Sequence, residues 1–138
     1  MPLRSVIIEE MRLVITQAYG ILQPADLAEN RASLVADPMF DPTYDHLFDL
    51  RPVERLDFTA DDVEAATLVR AFSAASRRAI VAPRDLAFGL SRMYESNRYD
   101  LDEGIAVYRT FDEALAWLGR DSTHPALKRA METTPQGV

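Results

Sequence analysis

The stretch Arg77–Asn97, RRAIVAPRDLAFGLSRMYESN, constrains the fold more than any other part of the chain. Ala79, Ile80, Val81 and Ala82 are apolar in succession, which suits a short strand covered on both faces. Pro83 breaks the run. From Asp85 to Asn97 the apolar spacing turns helical and predicts Leu86, Leu90, Met93 and Tyr94 on one side. A buried strand, a tight turn and an amphipathic helix make the core of an α/β unit. Gly89 inside the helix costs about 1 kcal/mol relative to alanine. It is expected to let the helix approach a neighbouring element closely.

The flanking chain supplies the other elements. Val6–Glu10 and Arg12–Tyr19 alternate and are rich in β-branched residues, so they read as an antiparallel pair that Gly20 ends. Pro24 suits the first turn of a helix over Ala25–Ala36, with Leu27, Arg31, Leu34 and Val35 at helical spacing. The segment Asp37–Tyr44 holds two Asp-Pro pairs and reads as a loop whose Met39 and Phe40 pack down on the domain. His46–Arg51 is the third strand, with His46, Phe48 and Leu50 on one face and Leu47, Asp49 and Arg51 on the other, ended by Pro52. Thr59 and Asp62 resemble a capping box opening a helix to about Ser76, with Ala65, Leu68, Val69, Phe72 and Ala75 buried. Ile105–Tyr108 is a fifth strand. Thr110 and Glu113 form a capping box for the next helix, which Gly119 ends.

The order β-β-α-β-α-β-α-β-α predicts an α/β fold with a mixed five-stranded sheet and four helices. One domain over residues 1–120 is expected, followed by a tail over 121–138, mobile at its end, with one or two helical turns at Ala126–Glu132.

Composition narrows the function. The chain has 138 residues, a net charge of −7 and no cysteine, which removes disulfides, thiolate catalysis and cysteine metal ligands. Lys128 is its only lysine. An acidic chain lacks the basic face that nucleic-acid binding uses, and it does not favour anionic lipid surfaces. No apolar run has membrane-spanning length, and the start MPLRSVIIEEM lacks the apolar core of a signal peptide. A soluble cytoplasmic protein without integral membrane association is expected.

Neither a glycine-rich phosphate loop nor a nucleophile elbow is present. His46 and His124 are far apart, with no metal-spaced partners; His46 reads as a satisfied, partly buried strand residue and His124 as solvated. No catalytic residue, metal or cofactor is expected. The more suggestive group lies beyond the carboxyl ends of the parallel strands, where ligands of open α/β sheets tend to bind. Arg51, Arg84 and Arg109 follow three strands there, beside Asp49 and Asp85. Helix starts converge on that edge, which suits a phosphate or carboxylate. The competing reading is that Asp49, Asp57, Asp85 and Asp112 simply neutralise these arginines. The turn Pro83-Arg84-Asp85 is the preferred contact point unless Asp85 caps its own helix. Arg92, Tyr94, Arg98 and Tyr99 read either as an interface or as an ordinary solvent-facing helix end.

The order of DPMFDP, HLFDLRPV, AIVAPRDLAFGLSRMYE and FDEALAWL resembles the bacterial SpoIIAA-like proteins, relatives of STAS domains with the anti-sigma-factor-antagonist fold. The resemblance covers about Val6–Gly119 and implies a SpoIIAA-like sandwich of sheet and helices. It also implies a phosphorylatable serine at the start of the helix after the His46–Arg51 strand. This chain carries Asp57-Phe-Thr-Ala-Asp-Asp62 there, so Thr59 is the hydroxyl at that place, and Asp61 and Asp62 would repel a phosphate. Some folds of the wider superfamily, the CRAL-TRIO domains, bind lipids, but a chain this short is not expected to offer so large an apolar cavity.

The leading expectation is a non-catalytic regulatory or ligand-binding module. It would bind a protein partner or a small anionic ligand through Asp49, Arg51, Thr59, Pro83, Arg84, Asp85 and Arg109. A small enzyme with Asp49 as acid or base is the rival, and a structural homo-oligomer is a third reading.

Overall fold

The computed structural model describes residues 2–67, 71–73, 75–98 and 104–132. Strands β1 (Leu3–Ile8) and β2 (Leu13–Ala18) form the expected antiparallel pair, in register from Leu3 opposite Ala18 to Ile8 opposite Leu13. A single 3-10 turn, Glu9–Met11, joins them, closed by Arg12 in the left-handed region at φ 50°. Three parallel strands then add to the same side. These are β4 (Asp45–Asp49), β6 (Arg77–Val81) and β7 (Gly104–Tyr108), giving the order β1-β2-β4-β6-β7. The mixed five-stranded sheet expected from the sequence is present.

Strand alternation divides the core into two layers. Leu13, Ile15, Leu47, Ala79 and Val81 face helices α4 (Phe111–Trp117) and α5 (Pro125–Glu132). On the other face Ala18, Leu50, Ile80, Ala82 and Val107 meet Leu27 of α1 (Pro24–Ala36) and Ala87 of α3 (Asp85–Arg98). Val14 meets Leu34 of α1 there as well. Helix α2 (Ala60–Thr67) covers the same face through buried Val63.

Several elements differ from the expectation. Gly20 does not end the extended chain. It turns it at φ +57° into β3 (Gly20–Leu22), which pairs in parallel with β5 (Val53–Leu56) as a separate two-stranded sheet. Pro52 therefore interrupts the chain without stopping it. Leu22 and Val53, both buried, give this small ladder an apolar side.

Helix α2 is described only to Thr67, and Phe72 and Ser76 lie outside any helix. The Ser73 amide and the Ser76 hydroxyl both donate to the Pro42 carbonyl, which ties this return segment to the Asp-Pro loop. Ala75 is exposed, while Leu68 and Val69 fall outside the described residues. In that loop Phe40 packs edge-on to Phe72 with centroids 5.3 Å apart, but Met39 is exposed.

Of the expected inner stripe of α3, Leu90 and Tyr94 do face inward, and Leu86 and Met93 do not. Leu86 is 64% exposed and Met93 is also outward, while Ala87 and Ser91 are buried. The small Ala87 and Ser91 lie against the sheet beside Leu90 and Tyr94, while Leu86 and Met93 go to the flank. Gly89 is exposed, and a Cβ there would meet nothing within 4 Å, so it serves no close approach.

A fifth helix, α5, is part of the core, since Ala126, Leu127 and Ala130 are buried against the sheet. His124 is half-buried, and its Nδ1 accepts from the Ala126 amide at 3.0 Å, so it caps α5 instead of standing in solvent. Before α5, Gly119 at φ +72° ends α4 with the Arg120 amide donating to the Leu115 carbonyl, a Schellman closure. Arg120 then reaches back. Its Nε donates to the Met11 carbonyl at 2.9 Å, its Nη2 to the Arg12 carbonyl at 3.0 Å, and it pairs with Asp45 at 3.0 Å. Residues 133–138 of the tail fall outside the described residues.

Candidate functional site

The carboxyl edge holds the residues that the sequence singles out, but in two closed groups. Asp49, at the end of β4, is 0% exposed. Its Oδ1 accepts from the Arg51 amide at 3.0 Å and from Arg51 Nε at 2.9 Å. Its Oδ2 accepts from Arg51 Nη2 at 2.9 Å and from Gln17 Nε2 at 2.8 Å. The Arg51 guanidinium also lies over the Phe111 ring at 4.3 Å. In the second group, Arg109 Nη1 donates to the Pro83 carbonyl at 3.0 Å and to Asp85 Oδ1 at 2.9 Å, with its guanidinium 4.2 Å from the Phe88 centroid.

Asp85 therefore gives its carboxylate to Arg109 instead of capping α3, whose first amide bond runs from Phe88 to the Arg84 carbonyl. Arg84 donates to the Glu54 carbonyl of β5 at 3.0 Å. Thr59 caps α2 reciprocally. Its Oγ1 accepts from the Asp62 amide at 3.1 Å, and the Thr59 amide donates to Asp62 Oδ2 at 2.8 Å. Asp57 pairs with Arg55 at 2.7 Å, and that hydrogen bond holds its carboxyl below the usual carboxylate range. Arg51 and Arg109 are thus ion-paired as the competing reading describes, while Arg84 bonds a carbonyl and Asp57 serves Arg55 instead. On α3, Arg92 pairs with Glu95 at 3.4 Å and Tyr94 turns inward, while the Arg98 side chain and Tyr99 lie outside the described residues.

The larger feature lies on the other side of β4. A half-open cavity of about 360 Å³ lies between the sheet and α1, α2 and α3. Its walls are largely apolar: Leu27 and Leu34 from α1, Val63 and Ala66 from α2, Leu90 from α3, and Phe48 and Ile80 from the sheet. Ala66, Ala71 and Ser91 leave space on its inner side where larger side chains would fill it, while Ala28 and Ala65, the latter expected to be buried, stand exposed at its mouth. That alanine-rich lining is the signal that a reading of the sequence could have used.

A polar line runs across the sheet beside the cavity. Ser5 Oγ donates to Asn30 Oδ1 at 3.1 Å and meets Thr16 Oγ1 at 2.8 Å. Thr16 Oγ1 meets His46 Nε2 at 2.8 Å. With the Ser5 proton spent on Asn30, Thr16 donates to Ser5, and His46 Nε2–H donates to Thr16. His46 Nδ1 is then a buried acceptor, without a partner among the described residues. So His46 is fully buried and satisfied at one nitrogen only, not partly buried and satisfied as expected. Its ring stacks on Phe72 at 4.6 Å and 15°. Burial, with the nearby Arg78 charge second, holds its pKa well below the ordinary 6.5, so the imidazole is neutral at pH 7.

Arg78 is the unusual cation. It lines the cavity from β6, and its Nη1 donates to the Tyr94 hydroxyl of α3. Its guanidinium lies 5.6 Å from the Phe72 centroid and 5.8 Å from that of Tyr94. Its Nε is buried without an acceptor among the described residues. Arg31 of α1 lines the same cavity, and Asp62 is the one acidic side chain among the described lining residues.

No protein-family model matches the chain, and no curated protein does. Among solved structures the chain is similar to an uncharacterized protein of the DUF3478 family from Shewanella loihica PV-4, described as having a SpoIIAA-like fold. The two are 20% identical, with 77% of this chain and 83% of that one covered and a TM-score of 0.49. No helix among the described residues is long and apolar enough to cross a membrane.

Proposed function

We propose that this protein is a non-catalytic binding module of the SpoIIAA-like type, and that its ligand site is the cavity beneath α1, α2 and α3. The observation that carries this reading is the cavity itself. About 360 Å³ of largely apolar space falls in the size range of small-molecule sites, and close-packed interiors do not keep such space without use. The non-catalytic reading is supported by Asp49, the sequence's acid-base candidate, whose two oxygens are both taken up by Arg51 and Gln17.

The test is titration with the neutral fluorophore N-phenyl-1-naphthylamine. Saturable one-to-one enhancement is expected, and Ala66→Phe, which fills the cavity, should abolish it while the far-ultraviolet circular dichroism stays unchanged. Enhancement that survives Ala66→Phe, or never saturates, would remove the cavity as the site.

A second reading, capture of a protein partner at the carboxyl edge, is favoured by the Asp85 side chain, which is 95% exposed beside Arg109. Arg84→Glu should then weaken partner capture without loss of fold, and unchanged capture would exclude the edge.

A further inference from the structure

Resting on the cavity reading, we infer that the ligand is an apolar carboxylate whose anionic head meets Arg78. Six arginines elsewhere in the described chain, Arg51, Arg55, Arg92, Arg109, Arg120 and Arg129, take carboxylate partners, while the exposed Arg12 and Arg84 donate to a hydroxyl and a carbonyl. Arg78 has two aromatic rings and a phenol instead, with no carboxylate paired to it among the described residues. The chain carries 22 acidic residues, so acids were not in short supply. A largely covered cation without a counter-ion is costly, and an incoming anion removes that cost.

The local charge agrees. Arg31 and Arg78 outnumber Asp62 in the described lining, although the whole chain is at −7. Asp62 is also held by the Thr59 amide at the start of α2. His46 adds no charge at neutral pH. An anion therefore finds a positive spot inside an acidic protein, and the apolar walls select the rest of the molecule.

The charge available decides between anions. Beside the N–H given to Tyr94, Arg78 keeps further N–H donors on Nη1 and Nη2, enough to grip a carboxylate. Arg31 and Arg78 against Asp62 leave one net positive charge in the described lining, which a monoanionic carboxylate balances and a dianionic phosphate does not. Tyr94 fixes the guanidinium from α3, so the head is read where sheet and helix meet.

Decanoate and 1-decanol, matched in chain length, are the probes. Each is titrated at pH 8 to displace N-phenyl-1-naphthylamine from the full chain. Decanoate is expected to displace it at a concentration at least ten-fold lower than 1-decanol. Arg78→Met should erase that preference while the fluorophore still binds, and Arg78→Lys, which keeps the charge, should retain most of it if the methionine variant does not fold. Equal displacement by the two probes, or a preference that survives Arg78→Met, would overturn the carboxylate inference and leave the cavity reading standing. Failure of the fluorophore to bind the wild-type chain would overturn both.

Discussion

Arg78 of β6 donates through Nη1 to the hydroxyl of Tyr94 on α3, so a phenol and not a carboxylate holds this guanidinium at the cavity wall. The bond joins the sheet to the helix that covers it. Tyr94→Phe keeps the ring and removes the oxygen. It should cost about 1.5–3 kcal/mol of stability, the range for a bond to a charged group. Urea denaturation at pH 8 measures it, and a change below a few tenths would show that the bond holds nothing.

His46 makes the fold acid-sensitive above the carboxylate range. Its folded pKa is depressed by burial and by Arg78, the charged group facing it; Thr16, Phe48 and Phe72 around it are neutral. Above pH 6.5 the imidazole is neutral in both states and stability does not depend on it. Below that, the unfolded chain takes up a proton that the folded chain refuses. Stability should fall by up to about 1.4 kcal/mol per pH unit until the folded pKa is reached. Urea midpoints at pH 7.5 and 5.5 test this, and His46→Gln should show a smaller difference between them.

Gly89 is an exposed helical glycine with open space at its Cβ position. Gly89→Ala should stabilise the protein by about 0.5–1 kcal/mol. A thermal scan suffices, and a lowered midpoint would mean that the helix surface there is covered in solution.

Asp49→Asn separates structure from chemistry. The variant loses the charge that Arg51 and Gln17 share. The expected cost is about 1–3 kcal/mol, held down because the Arg51 side chain is 41% exposed and water can take over its donors. Ligand displacement should be unchanged, since Asp49 lies on the face of β4 away from the cavity. A turnover lost in this variant at normal stability would instead favour the acid-base rival.

Leu127 of α5 is buried against the sheet, so Leu127→Ala should cost about 2–4 kcal/mol in urea denaturation. A cost near zero would mean that the tail helix is dispensable.

The strands of the main sheet were legible because each is a local apolar run, as Ala79–Val81 shows. Helix starts were legible where a cap sits in the sequence, as at Thr59 and Thr110. Strands β3 and β5 were not, since they are three and four residues long and stabilise each other across the fold. Inside α3 the bulky Leu86 and Met93 outweighed Ala87 and Ser91 in the periodicity, although the small residues face inward. The edge arginines could be placed from strand ends, and the pairing of two of them followed from Asp49 two residues before Arg51 and from Asp85 at the start of α3 for Arg109. The cavity could not be read so directly, because empty space between three helices belongs to no window of sequence. Arg78 had no signal of its own beside Arg77, which faces the opposite layer, over Trp117.

The Arg120 side chain has a consequence for synthesis. It joins the Met11 and Arg12 carbonyls of the turn between β1 and β2 to the Asp45 carboxylate, and it arrives more than a hundred residues after that turn. On the ribosome the opening hairpin has only its early ties, such as the Asp45 amide on the Arg12 carbonyl, until nearly the whole domain has emerged. Nascent chains stalled before Arg120 clears the exit tunnel should be cut by protease at Glu9–Arg12, and chains stalled well beyond α5 should not.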